Sequence, residues 1–150
     1  MRRLKYNGYT IVMQEVPNEI SLAINISDCP YKCKGCHSSY LWDYVGLYLT
    51  NDIDNLLDKY SSLISCVCFM GGDQNQEELL YCLKKAKKRK LKTCLYTGND
   101  DIDSISKEVV ESLDYIKIGR YIEELGGLSC KTTNQRMFDL NNNKEIFFYK

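Results

Sequence analysis

The sequence predicts an α/β fold built on a mostly parallel sheet, and three observations carry that expectation. Short apolar runs that read as strands alternate with stretches of about ten or more residues, the spacing that a βαβ crossover needs. The apolar positions in those longer stretches recur at helical intervals. No internal repeat, Pro/Gly/Ser linker or shift in composition divides the 150 residues. Residues 1–150 therefore read as a single domain, large enough to bury about 70% of its unfolded surface.

The elements follow in order. "YTIVMQEV" (9–16) and "ISLAINIS" (20–27) read as strands, the second ending just ahead of a cysteine-rich loop. Residues 52–64 place Ile53, Leu56, Leu57, Tyr60, Leu63 and Ile64 at helical spacing, with Asn51 or Asp52 as the N-cap. "SCVCFM" (65–70) is a short apolar strand running into Gly71-Gly72-Asp73. A basic amphipathic helix (75–90) leads to the strand "LKTCLYTG" (91–98), and a further helix (104–113) leads to the strand "DYIKIG" (114–119). The tail, "NNNKEIFFYK", reads as a turn followed by a terminal strand. In parallel sheets ligands gather at the carboxyl ends of strands. The cysteine loop, the Gly-Gly-Asp turn, "YTG" and "GRY" all follow strands, so four loops are expected to open onto one rim.

Twenty basic and twenty acidic residues cancel to a net charge of zero. No global field draws nucleic acid or an acidic membrane, and neither is an expected partner. The N-terminal stretch carries two arginines but neither an apolar core nor a small-residue cleavage site, and no apolar run approaches a membrane span. The expected location is the cytoplasm. There, eight cysteines point to reduced thiols, metal ligation or redox chemistry rather than a disulfide framework.

Three of those cysteines lie within "DCPYKCKGCHSS" (28–39), together with the only histidine. Cys29, Cys33 and Cys36 form a CxxxCxxC set, while Cys33 to His37 also match the CxxCH pattern of covalent haem attachment. A fully protein-ligated [4Fe–4S] cubane takes four thiolates. A loop offering three leaves one iron open to a substrate or cofactor, as an open position distinguishes catalytic from structural zinc. Gly35 would let the backbone come close to whatever sits there. A Cys₃His zinc site ranks second, because Cys36 and His37 are adjacent and poorly placed to face one small ion. Haem ranks third: it leaves Cys29 idle and normally requires export. Cys66, Cys68, Cys82, Cys94 and Cys130 make no second close-spaced set and read as small buried or loop thiols.

CxxxCxxC after the first strands of such a chain resembles the signature of the radical S-adenosylmethionine (SAM) enzymes. The resemblance implies a short partial (β/α) barrel of the radical SAM type, a [4Fe–4S] cluster on Cys29, Cys33 and Cys36, and SAM chelated at the open iron. Many members carry an aromatic residue just before the third cysteine. Gly35 stands there in this chain, as is usual in the small activases of anaerobic ribonucleotide reductase. "FMGGDQ" occupies the place of the superfamily's GGE motif, so Gly71, Gly72 and Asp73 are expected at the methionine amino group. Asp for Glu shortens the reach by one methylene. Gly35, Cys36 and His37 on the loop, with Thr97, Lys117 and Gly119 on the following rim, complete the expected cofactor contacts. "GRY", "CHSSYLW" and "TTNQRMFDL" (132–140) extend the likeness to the ribonucleotide reductase activases over roughly residues 20–140.

What the resemblance implies is an enzyme that reductively cleaves SAM and uses the 5′-deoxyadenosyl radical to place a glycyl radical on the large anaerobic ribonucleotide reductase subunit. A small reductant such as flavodoxin is the expected electron source. Beyond the cluster and SAM no catalytic residue is required, in keeping with the lack of a Ser/His/Asp or paired-carboxylate set. The alternatives are an activase of the pyruvate formate-lyase type or, in a different class, an electron-transfer or zinc module. The run "KKAKKRK" (84–90) reads as a solvated helix face that suits the C-terminal dipole, and the twelve tyrosines are compatible with a partner surface.

Overall fold

The computed structural model describes residues 2–36 and 39–149. Eight strands form one open sheet: β1 (Lys5–Val12), β2 (Ser21–Ile26), β3 (Leu47–Tyr48), β4 (Cys66–Met70), β5 (Lys92–Tyr96), β6 (Tyr115–Ile118), β7 (Arg136–Asp139) and β8 (Lys144–Ile146). Their order across the sheet is β3-β1-β2-β4-β5-β6-β7-β8. Three α-helices intervene: α1 (Leu49–Tyr60), α2 (Gln76–Lys88) and α3 (Lys107–Glu111).

The expected mostly parallel sheet and partial (β/α) barrel are corrected by this topology. β2-β4, β4-β5 and β5-β6 pair parallel, but β1-β2, β1-β3, β6-β7 and β7-β8 pair antiparallel, and the sheet does not close. The cause is the placement of the helices. A parallel pair needs a long crossover, whereas an antiparallel pair does not. Helices stand between β2 and β4, between β4 and β5, and between β5 and β6, and nowhere else in the described chain. Each flank therefore folds back on itself.

The four central strands carry buried residues on both faces. On one face Leu22, Ile24, Val67, Phe69, Leu95 and Ile116 pack against Leu49, Ile53 and Leu57 of α1, Leu79 and Leu83 of α2, and Val109 of α3. The other face is sulfur-rich: Cys66, Cys68, Cys94 and Met137 pack with Val16 and Tyr115, and Leu128 and Phe148 cover them. Burial pushes the Cys66 and Cys94 thiols up, and likewise Cys82 within α2, so these three act as small apolar side chains.

The helix boundaries shift for local reasons. α1 starts at Leu49 behind Tyr48, which makes no side-chain cap, so neither Asn51 nor Asp52 is the N-cap. Asp52 instead accepts a hydrogen bond from the Tyr6 hydroxyl, and Asn51 accepts one from Arg3. α2 is capped by Asn75, whose Oδ1 accepts from the Glu78 N–H. Half of the basic run at its end is paired, with Lys85 and Arg89 meeting Asp54, Arg89 also meeting Asp58 and Lys87 meeting Asp114, while Lys84, Lys88 and Lys90 are exposed. Among the described residues no helix is long and apolar enough to cross a membrane.

Candidate iron–sulfur and cofactor site

At the carboxyl ends of β2, β4, β5 and β6 the sheet opens into a cleft of about 760 Å³, counting its mouth. Its walls include all three thiols of the cysteine loop, Cys29, Cys33 and Cys36, each partly exposed. Gly71 and Asp73 enter from the turn after β4, Thr97 and Gly98 from the turn after β5, and Tyr121 from the segment after β6, with Lys117 on β6 itself. Four loops that are remote in sequence thus meet at one rim, because the central strands run parallel and end together.

Not every expected contact reaches the cleft. Gly72 faces away from it, against Leu79 and Leu4 of the core. Gly71 faces the cleft side with its φ at +106°, and a side chain there would press on Ile26. Gly35 lies under the Glu123 side chain, which ties the cysteine loop to the segment after β6. Gly119 supports from outside: its carbonyl accepts from Lys117 Nζ and Gln135 Nε2, and its N–H donates to the Asn99 carbonyl. Arg120 pairs with Asp100 on the surface. His37 lies outside the described residues.

Several wall residues are not among the contacts expected from the sequence. Tyr31, between the first two cysteines, donates its hydroxyl to Asp73 Oδ2 at 2.7 Å. Its ring lies on Gly98 so closely that a Cβ there would sit 2.7 Å from Cδ2. One tyrosine therefore binds the cysteine loop to two other rim turns, and Gly98 is the only residue type that admits it. Burial first, and the bond to Asp73 second, push the Tyr31 phenol up, so it remains a donor at neutral pH. Gln74 fastens the same turn: its Oε1 accepts from Gly72 N–H while its Nε2 donates to the carbonyls of Ser27 and Asp28. Tyr96, Tyr121, Met70 and Gln135 also line the cleft.

The electrostatics centre on Lys117, buried to 7% exposure. Its ammonium donates to the carbonyls of Thr97 at 3.1 Å and Gly119 at 3.2 Å. Burial pushes it down to about 8, with Cys33 and Cys29 acting in the opposite sense.

The donor set fits a cluster better than a single ion. Among the described residues no three Cys, His, Asp or Glu side chains converge where one ion could be held. Tetrahedral zinc would bring its sulfur ligands to about 3.8 Å from one another, whereas the corners of a cubane hold them farther apart. Cys29, Cys33 and Cys36 all line the cleft and are each partly exposed, and cysteine thiolates are the usual ligands of iron–sulfur clusters.

Comparison with protein families decides the matter at the family level, since the model of the 4Fe-4S single cluster domain matches residues 20–143. The chain belongs to that family. It is an iron–sulfur protein, and the 4Fe-4S single cluster domain takes in the cysteine loop and every wall of the cleft. Neither the curated proteins nor the solved structures yield a match.

Proposed function

We propose that this 4Fe-4S single cluster domain is a radical SAM activase, with the cluster on Cys29, Cys33 and Cys36 and SAM in the adjoining cleft. The observation that carries the reading is the meeting of three thiols, a Gly-Asp turn and a buried cation on the walls of one cleft. A bare electron-transfer module has no need of such a cavity beside its cluster. The reading rests on the site and not on a barrel, which the sheet does not form.

Within the cleft each group has a task. Asp73 receives the ammonium of the SAM methionine on the oxygen that Tyr31 does not occupy. Gly71 admits that end of the ligand against bare backbone, and the Tyr31–Gly98 contact holds the loop at a fixed distance from the turn. Tyr96 and Tyr121 line the cleft with rings that suit an adenine or keep water from a radical. When bound, the cluster and SAM supply the chemistry: one electron enters the sulfonium, the C–S bond to the adenosyl carbon breaks, and methionine and a 5′-deoxyadenosyl radical result.

The hydrogen that quenches this radical comes from the Cα of a glycine in the large anaerobic ribonucleotide reductase subunit, which keeps the unpaired electron. A small reductant such as flavodoxin supplies the electron. The test is low-temperature EPR under anaerobiosis, with the reduced, reconstituted chain and SAM mixed in parallel with that reductase and with pyruvate formate-lyase. A glycyl doublet on the reductase alone is expected. A doublet on pyruvate formate-lyase alone transfers the assignment to that partner, and none on either overturns it.

A further inference from the structure

Lys117 is a buried cation without a carboxylate. Among the described residues no acid lies within ion-pair distance of it, although ten other ion pairs form. Two of its three N–H donors go to the carbonyls of Thr97 and Gly119, and the Tyr96 ring centroid lies 5.6 Å from Nζ. Neutral oxygens and a ring solvate an ammonium but do not cancel its charge. Burying an uncompensated charge is costly, so its counter-charge belongs in the space it faces. That space is the cleft, which Lys117 lines together with Cys29, Cys33 and Cys36.

We infer that Lys117 is the counter-cation of the cluster-bearing loop, a positioning residue that sets the cluster's reduction potential from within the cleft that Cys29 and Cys33 also line. Three thiolates make the cluster site anionic, and reduction adds one more electron to it. A fixed cation stabilises the reduced form more than the oxidised form. The effect is large in this setting, because burial lowers the local dielectric and leaves little room for salt to screen the charge. Removing the cation therefore makes the cluster harder to reduce. The inference rests on the three-cysteine assignment and not on SAM, so a chain that never cleaved SAM would still show it.

The test is a redox titration followed by EPR on the cluster-loaded full chain without SAM, comparing wild type with Lys117→Met, Lys117→Gln and Lys117→Arg. Cluster content is checked by iron and sulfide analysis and folding by circular dichroism. The midpoint potential is expected to fall in the Met and Gln variants and to return toward wild type in the Arg variant. If Met and Gln fail to take up a cluster while Arg succeeds, the positive charge is needed at assembly, which upholds the assignment. An unchanged potential in folded, loaded Met or Gln variants overturns it. So does a lowered potential that Arg does not restore, or loss of the cluster in all three variants, since each assigns Lys117 a packing role. Failure of Cys33→Ala to disturb the cluster is a separate result, which would remove the site and not merely the role of the lysine.

Discussion

Cys33→Ala is expected to leave a folded chain with no stable [4Fe–4S] cluster. The thiolate is the ligand, and alanine has no donor to replace it. With two protein ligands left of three, anaerobic reconstitution should yield only residual iron and sulfide and lose the broad sulfur-to-iron absorption. Cys33 is partly exposed and belongs to a loop rather than to either packed face of the sheet, so the melting transition of the apo chain should stay close to wild type. Cys66→Ala is the matching control. That thiol lies at 0% exposure on the sulfur-rich face, so its loss should lower stability and leave cluster content intact. A Cys33→Ala chain that still holds a full cluster would show that the loop is not the ligand set.

The second large effect lies at the opposite end of β6. Asp114, at 7% exposure, accepts from Lys87 Nζ, from Asn141 Nδ2 at 2.7 Å and from the Thr93 N–H at 2.9 Å. One carboxylate thus joins α2, the start of β5 and the turn after β7. Burial works to raise this carboxyl, but the bonds from Lys87, Asn141 and Thr93 outweigh it and hold it below the usual carboxylate range. Asp114→Ala strips three donors of their acceptor in a largely buried setting and is expected to cost about 3 kcal/mol, measurable by urea denaturation of the apo chain. The sign with pH follows from the lowered value. The contribution is complete above the unfolded carboxylate value of about 3.9 and is lost as pH falls through the folded one. The gap between wild type and variant should stay level from pH 7 to about 5 and close only in stronger acid. A gap of under about 1 kcal/mol at pH 7 would mean that the network contributes little.

The chemistry of the cysteine loop was legible in the sequence because ligand spacing is local, and three thiols in eight positions carry their meaning without a fold. The central strands and helices were legible for a related reason. Strands such as β4 and β6 are buried on both faces and read as short continuous apolar runs, while α1 and α2 show helical periodicity. The directions of the flanking strands were not. β1 buries one of its eight residues, so no alternation marks its ends, and it runs Lys5–Val12 rather than 9–16. β3 has two residues and no pattern at all. β7 follows a polar stretch with Met137 as its one fully buried residue. Without those strands the antiparallel flanks were invisible, and the parallel centre was extended into a barrel that the chain does not make.

The cleft divides in the same way. Motif residues such as Cys29, Gly71 and Asp73 were named from motifs that follow strands, and Lys117 from the end of one. Tyr31, Gln74 and Gln135 were not, since their roles arise from contacts across some 40 residues or more, as in the Tyr31–Asp73 and Gln74–Ser27 bonds, or across the β6–β7 connection. Gly72 and Gly119 show the converse: both fit a motif, yet one packs into the core and the other braces Lys117 from behind.

The most direct measurement is of SAM cleavage itself. The reconstituted chain, reduced with dithionite under anaerobiosis, would be incubated with SAM and its products quantified by chromatography and mass spectrometry. The account predicts 5′-deoxyadenosine and methionine in equal amounts, formed only by the cluster-loaded protein and absent with Cys33→Ala. A fully loaded, reducible cluster that leaves SAM intact would contradict it and identify the chain as an electron carrier.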